Sequence, residues 1–342
     1  LLFQNYYGII VSFLERERPA KRTQTKTEKR KTTMTKTEAE LSGLTFGCEL
    51  EYEGIGKARA AQLIAEVTGG RAAYTGFGEN QMVRMPDGRV WSIVRDGSLR
   101  GACSESVTPI LRISDLPMLE KVVKALRRGG AVVNSRTGLH IHVGMRTASP
   151  TAVRNLVRTF YRQEELILKA AGTRFERIFQ YTKRMDHSFV ERICRDRNPT
   201  WETLNKDWFG RYTPYFDKYE KHRYHALNLN NLWNSKGTVE FRFWEGSTDH
   251  ATVAASVLFC LLLVARAKDA KASSANAQRR YREASAKYDF RVFLLRLGAN
   301  GPMFKSMRKI LMANLPGSAA WKDGRHDRPK AKAQAAATAA NG

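Results

Sequence analysis

FGCELEYE, residues 46–53, sets glutamates at every second position of an otherwise apolar run. A strand has a side-chain period of two, so Phe46, Cys48, Leu50 and Tyr52 fall on one face and Glu49, Glu51 and Glu53 on the other. Taken alone, this is the pattern of an antiparallel strand with one face in the core and one in water. Glutamate is nonetheless depleted in strands, and neighbouring carboxylates repel unless a positive group stands between them. The stretch predicts a strand with a charged face that calls for a cation.

The same spacing recurs downstream. In GLHIHVG (138–144), His140 and His142 alternate with Leu139, Ile141 and Val143, and in TVEFRFWE (238–245), Glu240 and Arg242 oppose Val239, Phe241 and Phe243. In RYHALNLNN (223–231), Tyr224, Ala226, Asn228 and Asn230 alternate with His225, Leu227 and Leu229. A solvated face explains any one of these strands. Four such faces rich in Glu, His, Asn and Arg, rather than the Lys and Thr of an ordinary wet surface, predict one concave sheet face gathered around something charged.

Helical spacing fills the intervals. Lys57 to Val67 stops at Gly69-Gly70, a second helix opens at Ser114 with Pro117 in its first turn and ends at Gly129-Gly130, and a long one runs from Ser149-Pro150 to Gly172. An apolar helix covers 251–267, and at least one more helical segment precedes Pro316. Further extended segments are expected at Val90–Val94 and Ser104–Ile113. Residues 175–222, aromatic and basic with weak periodicity, read as an insertion or lid within a catalytic domain spanning 41–315. The pattern predicts an α+β fold with a curved, mainly antiparallel sheet and helices packed on one face.

Composition narrows the partners. Of 342 residues 42% are hydrophobic, as in a globular protein, yet 58 Lys+Arg against 33 Asp+Glu give a net charge of +25. Residues 1–40 hold nine basic and five acidic groups and residues 316–342 five and two, which leaves about +18 on the body. Nucleotide phosphates, carboxylate substrates, nucleic acid and anionic surfaces all suit that charge. Cys48, Cys103, Cys194 and Cys260 form no metal-ligand spacing, which points to a reduced, cytoplasmic chain. The apolar run 253–265 is too short to span a bilayer, so no membrane span is expected, and residues 1–14 lack the basic start of a secretory signal. The polar stretch 16–40 and the Ala/Lys-rich end predict tails that are disordered or, at the N-terminus, not native, with Met34 as the natural start.

Carboxylates suit Mg²⁺ or Mn²⁺, and Mg²⁺ is usually held by a few carboxylates together with substrate phosphates. Arg242 supplies a planar fork for phosphate or carboxylate, and His140 or His142 can ligate a metal or donate to a phosphate oxygen. No Walker A and no G-x-G-x-x-G stands at a strand-to-helix junction, so phosphates would be held through metals.

FGCELEYE, VWSIVRDGSL, ESVTPIL, GLHIHVG and RYHALNLNN…TVEFRFWEG follow the order seen in the amidoligases, ATP-dependent carboxylate–amine ligases that resemble glutamine synthetase. The chain resembles that family over about residues 44–268. The resemblance implies a glutamine-synthetase-like fold binding ATP and two or more Mg²⁺ or Mn²⁺ ions. It makes Glu49, Glu51, His140 and Glu240 metal ligands, with Asp96 and Glu105 as further carboxylates. His142, Asn228, Asn230 and Arg242 become cofactor-binding residues, and Arg242, Arg223 and Glu240 catalytic ones. The implied reaction runs through an acyl phosphate, with carboxylate and amine substrates that could be amino acids, peptides, cell-wall fragments or proteins. Glu53 is a candidate base, although a solvated strand residue is the simpler reading.

A nucleic-acid-binding protein is the alternative, since Trp201, Trp208, Tyr212, Tyr215, Phe216 and Tyr219 interleave with Lys and Arg. Such a surface should not collect Glu49, Glu51, Glu105 and Glu240 in one cleft. A metal-dependent hydrolase built on the H-x-H pair is a weaker third reading, because the other histidines form no partner motif.

Overall fold

The computed structural model describes residues 35–217, 220–270 and 277–322. Eight antiparallel strands form one open sheet: β1 (Phe46–Glu53), β2 (Arg71–Tyr74), β3 (Gln81–Arg84), β4 (Val90–Val94), β5 (Cys103–Val107), β6 (Gly138–Gly144), β7 (Leu227–Asn228) and β8 (Thr238–Glu245), in the order β2-β3-β4-β5-β1-β6-β8-β7. β1, which the alternation identifies, lies between β5 and β6. Its Cys48, Leu50 and Tyr52 are buried, as are Leu139, Ile141 and Val143 of β6 and Val239, Phe241 and Phe243 of β8. Each such side chain contributes about 1.5–3 kcal/mol when fully buried.

Helices pack around the sheet. They are α1 (Lys36–Ser42), α2 (Lys57–Thr68), α3 (Leu116–Arg128), α4 (Pro150–Ala171), α5 (Phe175–Gln180), α6 (His187–Arg195), α7 (Trp201–Phe209), α8 (His250–Asp269), α9 (Ala286–Arg296) and α10 (Lys305–Ala313). Phe243 packs on Phe160 of α4 at 5.7 Å and Trp244 on Phe259 of α8 at 5.9 Å, between ring centroids. The Ser149 hydroxyl accepts the Ala152 N–H to start α4, and Gly172 ends it at φ 71°, a conformation glycine adopts without strain. By length and composition α8 could cross a membrane, being longer than the apolar run alone suggests. Most of it is buried in the protein core.

Two strand regions differ from the sequence expectation. The hairpin of β2 and β3 was not expected: all four residues of RAAY are exposed, so this edge strand exists through backbone pairing and has no apolar alternation to announce it. The strand expected over 223–231 shrinks to Leu227–Asn228, with 3₁₀ turns at Lys221–Tyr224 and Asn230–Trp233. Asn228 Oδ1 accepts the Asn230 N–H at 2.9 Å, a side-chain turn that diverts the backbone from the ladder. Residues 175–222, expected as an insertion or lid, carry α5–α7, and their Phe189, Val190, Ile193, Leu204 and Trp208 join the common core. Residues 36–40, allotted by composition to the leading tail, are helical, and Leu41 beside them is buried. The remaining tail expectations, Met34 included, concern 1–34 and 323–342, outside the described residues.

Candidate metal and nucleotide site

The register places the charged faces together. Glu49 of β1 stands opposite His140 of β6, His142 opposite Glu240 of β8, Glu240 opposite Asn228 of β7, and Glu51 opposite Glu105 of β5. Between Leu139↔Trp244 and Ile141↔Phe241, β8 spends one more residue than β6, a bulge opposite His140. That extra residue carries Trp244 onto the apolar side while Arg242 stays with the polar one.

His140 is the hub. Its Nδ1 lies 3.0 Å from Glu49 Oε2 and 3.7 Å from Glu240 Oε1, and its Nε2 lies 3.6 Å from Glu51 Oε1 and 3.3 Å from Arg177 Nη2. A guanidinium only donates, so Nε2 accepts from Arg177 and the ring proton sits on Nδ1, donated to Glu49. The opposite tautomer would use the longer contacts, Nε2 to Glu51 at 3.6 Å and Arg242 Nη1 to Nδ1 at 3.5 Å. His142 Nε2 contacts Glu49 Oε1 at 3.0 Å and Glu240 Oε1 at 4.0 Å. Glu240 Oε1 bonds Arg242 Nη1, and its Oε2 accepts Asn228 Nδ2 at 2.7 Å and Asn231 Nδ2 at 3.2 Å. Glu51 Oε2 accepts the Gly138 N–H at 2.6 Å.

These contacts set the charges. Burial pushes Glu49 and Glu240 up, but His142 and His140 at the first, and Arg242 and His142 at the second, hold both carboxyls well below their ordinary range. Burial lowers His142, and the Glu49 and Glu240 charges outweigh it and raise it. Loss of water around half-buried Glu105, then the charges of Glu49, Glu51 and Asp96, push it up to about 9. The face therefore holds more negative charge than its cations settle at that point. Glu49, His142 and Glu240 each offer a ligand atom within 4.8 Å of the others, the separation spanned by an ion coordinated at about 2.0–2.6 Å. Arg242 and Arg177 each bury an Nε without a partner.

Other expected residues stand elsewhere. Asn230 turns away from the carboxylates and accepts the Trp208 indole N–H at 2.7 Å, and Asn231 takes the place beside Glu240. Asp96 accepts from Ser98 N–H at 2.7 Å and adds its charge to Glu105. Arg223 lies over the Tyr224 ring, 5.6 Å from its centroid. Glu53 is no free base: Arg136 binds both its oxygens at 3.0 Å, and Asn134 and the Arg100 N–H complete its shell. Trp208 is buried against Phe189, His222 and His225, which removes it from stacking on bases, and half-buried Phe216 packs on Phe209. Tyr219 lies outside the described residues.

Sequence periodicity missed Arg177, Asn231 and Lys236, whose Nζ is 3.5 Å from Glu49 Oε1. Gly138 was the one available signal for Arg177: a Cβ there would stand 2.0 Å from its Nη2. No curated protein matches the chain. The family described as "Putative amidoligase enzyme" matches residues 42–264, more than half the chain and every strand that builds the charged face. The protein belongs to the amidoligase family, an enzyme of ligase type.

Proposed function

We propose that the protein joins a carboxylate to an amine at the expense of ATP, through an acyl phosphate, on a glutamine-synthetase-like sheet face that holds Mg²⁺ or Mn²⁺. The observation that carries this is the convergence of Glu49, His142 and Glu240 from three paired strands beside the buried Arg242. Two carboxylates and an imidazole suit such an ion, which when bound would neutralise nucleotide phosphates.

The chain's own groups have separable tasks. Asn228 and Asn231 occupy Glu240 Oε2 and turn Oε1 toward Arg242 and the two histidines. His140 aligns Glu49. Arg242, held by Glu240, brings a fixed charge to where a transferring phosphoryl group gathers its own. In the proposed reaction a substrate carboxylate oxygen bonds to the γ-phosphorus as the bond to ADP breaks. The amine nitrogen then bonds to the acyl carbon, phosphate leaves with the C–O bond electrons, and the nitrogen gives up a proton.

The test is ADP release screened across carboxylate and amine pairs with Mg²⁺ or Mn²⁺, spanning amino acids, peptides, cell-wall fragments and protein side chains. A pair that releases ADP and forms an amide is expected. ATP with metal should also raise the melting temperature by mass action, and EDTA should abolish that shift. An equal shift from ATP without metal, together with no ADP from any pair, would reduce the site to anion binding by a basic surface.

A further inference from the structure

The Glu51 end of the charged face is built differently from the Glu49–Glu240 end. Arg177, delivered by α5 and 3% exposed, donates to Thr137 O at 3.1 Å and to Arg242 O at 3.3 Å, and its Nη2 meets His140 Nε2 at 3.3 Å. It occupies the volume that Gly138 leaves free, and its charge acts on Glu51. Because its hydrogen-bond acceptors are neutral, its positive charge is left for the carboxylates. A guanidinium keeps that charge at any working pH.

Charge then limits what else the site can take. Among the described residues Glu49, His142 and Glu240 form the one group of three whose ligand atoms lie within 4.8 Å of one another, and neither Glu51 nor Glu105 belongs to it. One divalent ion fills that group. A second, at the Glu51 end, would stand against the Arg177 guanidinium, a like charge in a face largely withdrawn from water, the costly case for buried ions. Glu51 Oε2 is also engaged, by the Gly138 N–H at 2.6 Å.

We infer that Arg177 is the built-in cation of the Glu51 end, and that the protein holds one resident divalent ion at the Glu49–His142–Glu240 end, any further ion arriving with the nucleotide phosphates. This rests on the metal-dependent function proposed above and departs from the two or more protein-held ions that the family resemblance implies. Arg177 acts as a positioning residue, through Glu51 and His140.

Mn²⁺ binding to the full chain without nucleotide, by equilibrium dialysis with free ion read from its electron spin resonance, tests it apart from catalysis. One Mn²⁺ per chain is expected. Glu49→Gln should weaken it by about 10²-fold or more, and Glu51→Gln by less than about tenfold, since it removes a neighbouring charge and not a ligand. Arg177→Met should admit a second Mn²⁺, and Arg177→Lys should restore a single one. Two ions in the unmodified protein, or equal losses for the two glutamine variants, would overturn the role of Arg177 while leaving a metal site standing. No bound ion at all would instead sink the metal-dependent function and this inference with it. If Arg177→Met fails to fold, the unmodified stoichiometry and the two glutamine variants still decide.

Discussion

Glu240 of β8 and Glu164 of α4 are both buried carboxylates, and their surroundings treat them in opposite ways. Burial pushes each one up, but at Glu240 the Arg242 guanidinium, then His142, reverse the effect and keep the group ionised. Glu164, fully buried, is met by the Met185 N–H at 2.7 Å and the Gln278 amide at 3.0 Å, and burial carries it to about 7. Hydrogen bonds from neutral donors do not offset the loss of water around a charge, whereas a guanidinium in contact does. The strand face is thus built to hold charge, and the interior of α4 to hold an acid that is half neutral near pH 7.

The sharpest way to break that contrast is to remove the cation. Arg242→Met leaves Glu240 buried without its partner and should destabilise the protein by about 3–5 kcal/mol in denaturant unfolding. Arg242→Lys keeps the charge and loses the planar fork. It should cost less than about 1 kcal/mol in stability yet slow ADP formation by about 10²-fold. A lysine variant that melts much earlier but turns over normally per folded molecule would make Arg242 a scaffold residue.

Glu164→Gln should act in the other direction. With its pKa raised from 4.5 to about 7 in the folded protein, the penalty of burying Glu164 is absent below about pH 4.5, grows as pH rises and is complete above about 7. The glutamine variant should gain up to about 3 kcal/mol above pH 7 and lose that part of the pH dependence between 4.5 and 7. A gain of equal size at pH 4.5 and pH 8 would show that packing, not charge, is responsible.

Gly138→Ala forces a methyl group to within 2.0 Å of Arg177 Nη2 and should cost about 1–3 kcal/mol, with weaker Mn²⁺ binding because His140 shifts with Arg177. Full stability and unchanged Mn²⁺ binding would mean that the guanidinium does not need this approach. The smallest effect is the control: Ser149→Ala removes the cap of α4 and should cost about 1 kcal/mol at every pH, separating general loosening of that helix from the ionisation of Glu164.

Side-chain alternation is a property of each strand's own backbone. That is why the sequence alone put Glu49 and Glu51, His140 and His142, and Glu240 and Arg242 each on a polar face, with Cys48, Leu50, Ile141, Phe241 and Phe243 opposite. Helix ends were legible for the same reason, because Ser149, Gly69 and Gly172 act within one turn of themselves. Strand order was not local: β1 lies between β5 and β6, and Glu49 meets a histidine 91 residues away. Nor was the bulge that separates Trp244 from Arg242, the turn that exchanges Asn230 for Asn231, or the exposed pairing of β2 with β3. Arg177 is the clearest case. Nothing in the periodicity of 175–222 marks it, and its position follows from how α5 sets its side chain over Gly138, a strand position without a side chain, a three-dimensional fit to which pattern along the chain is blind.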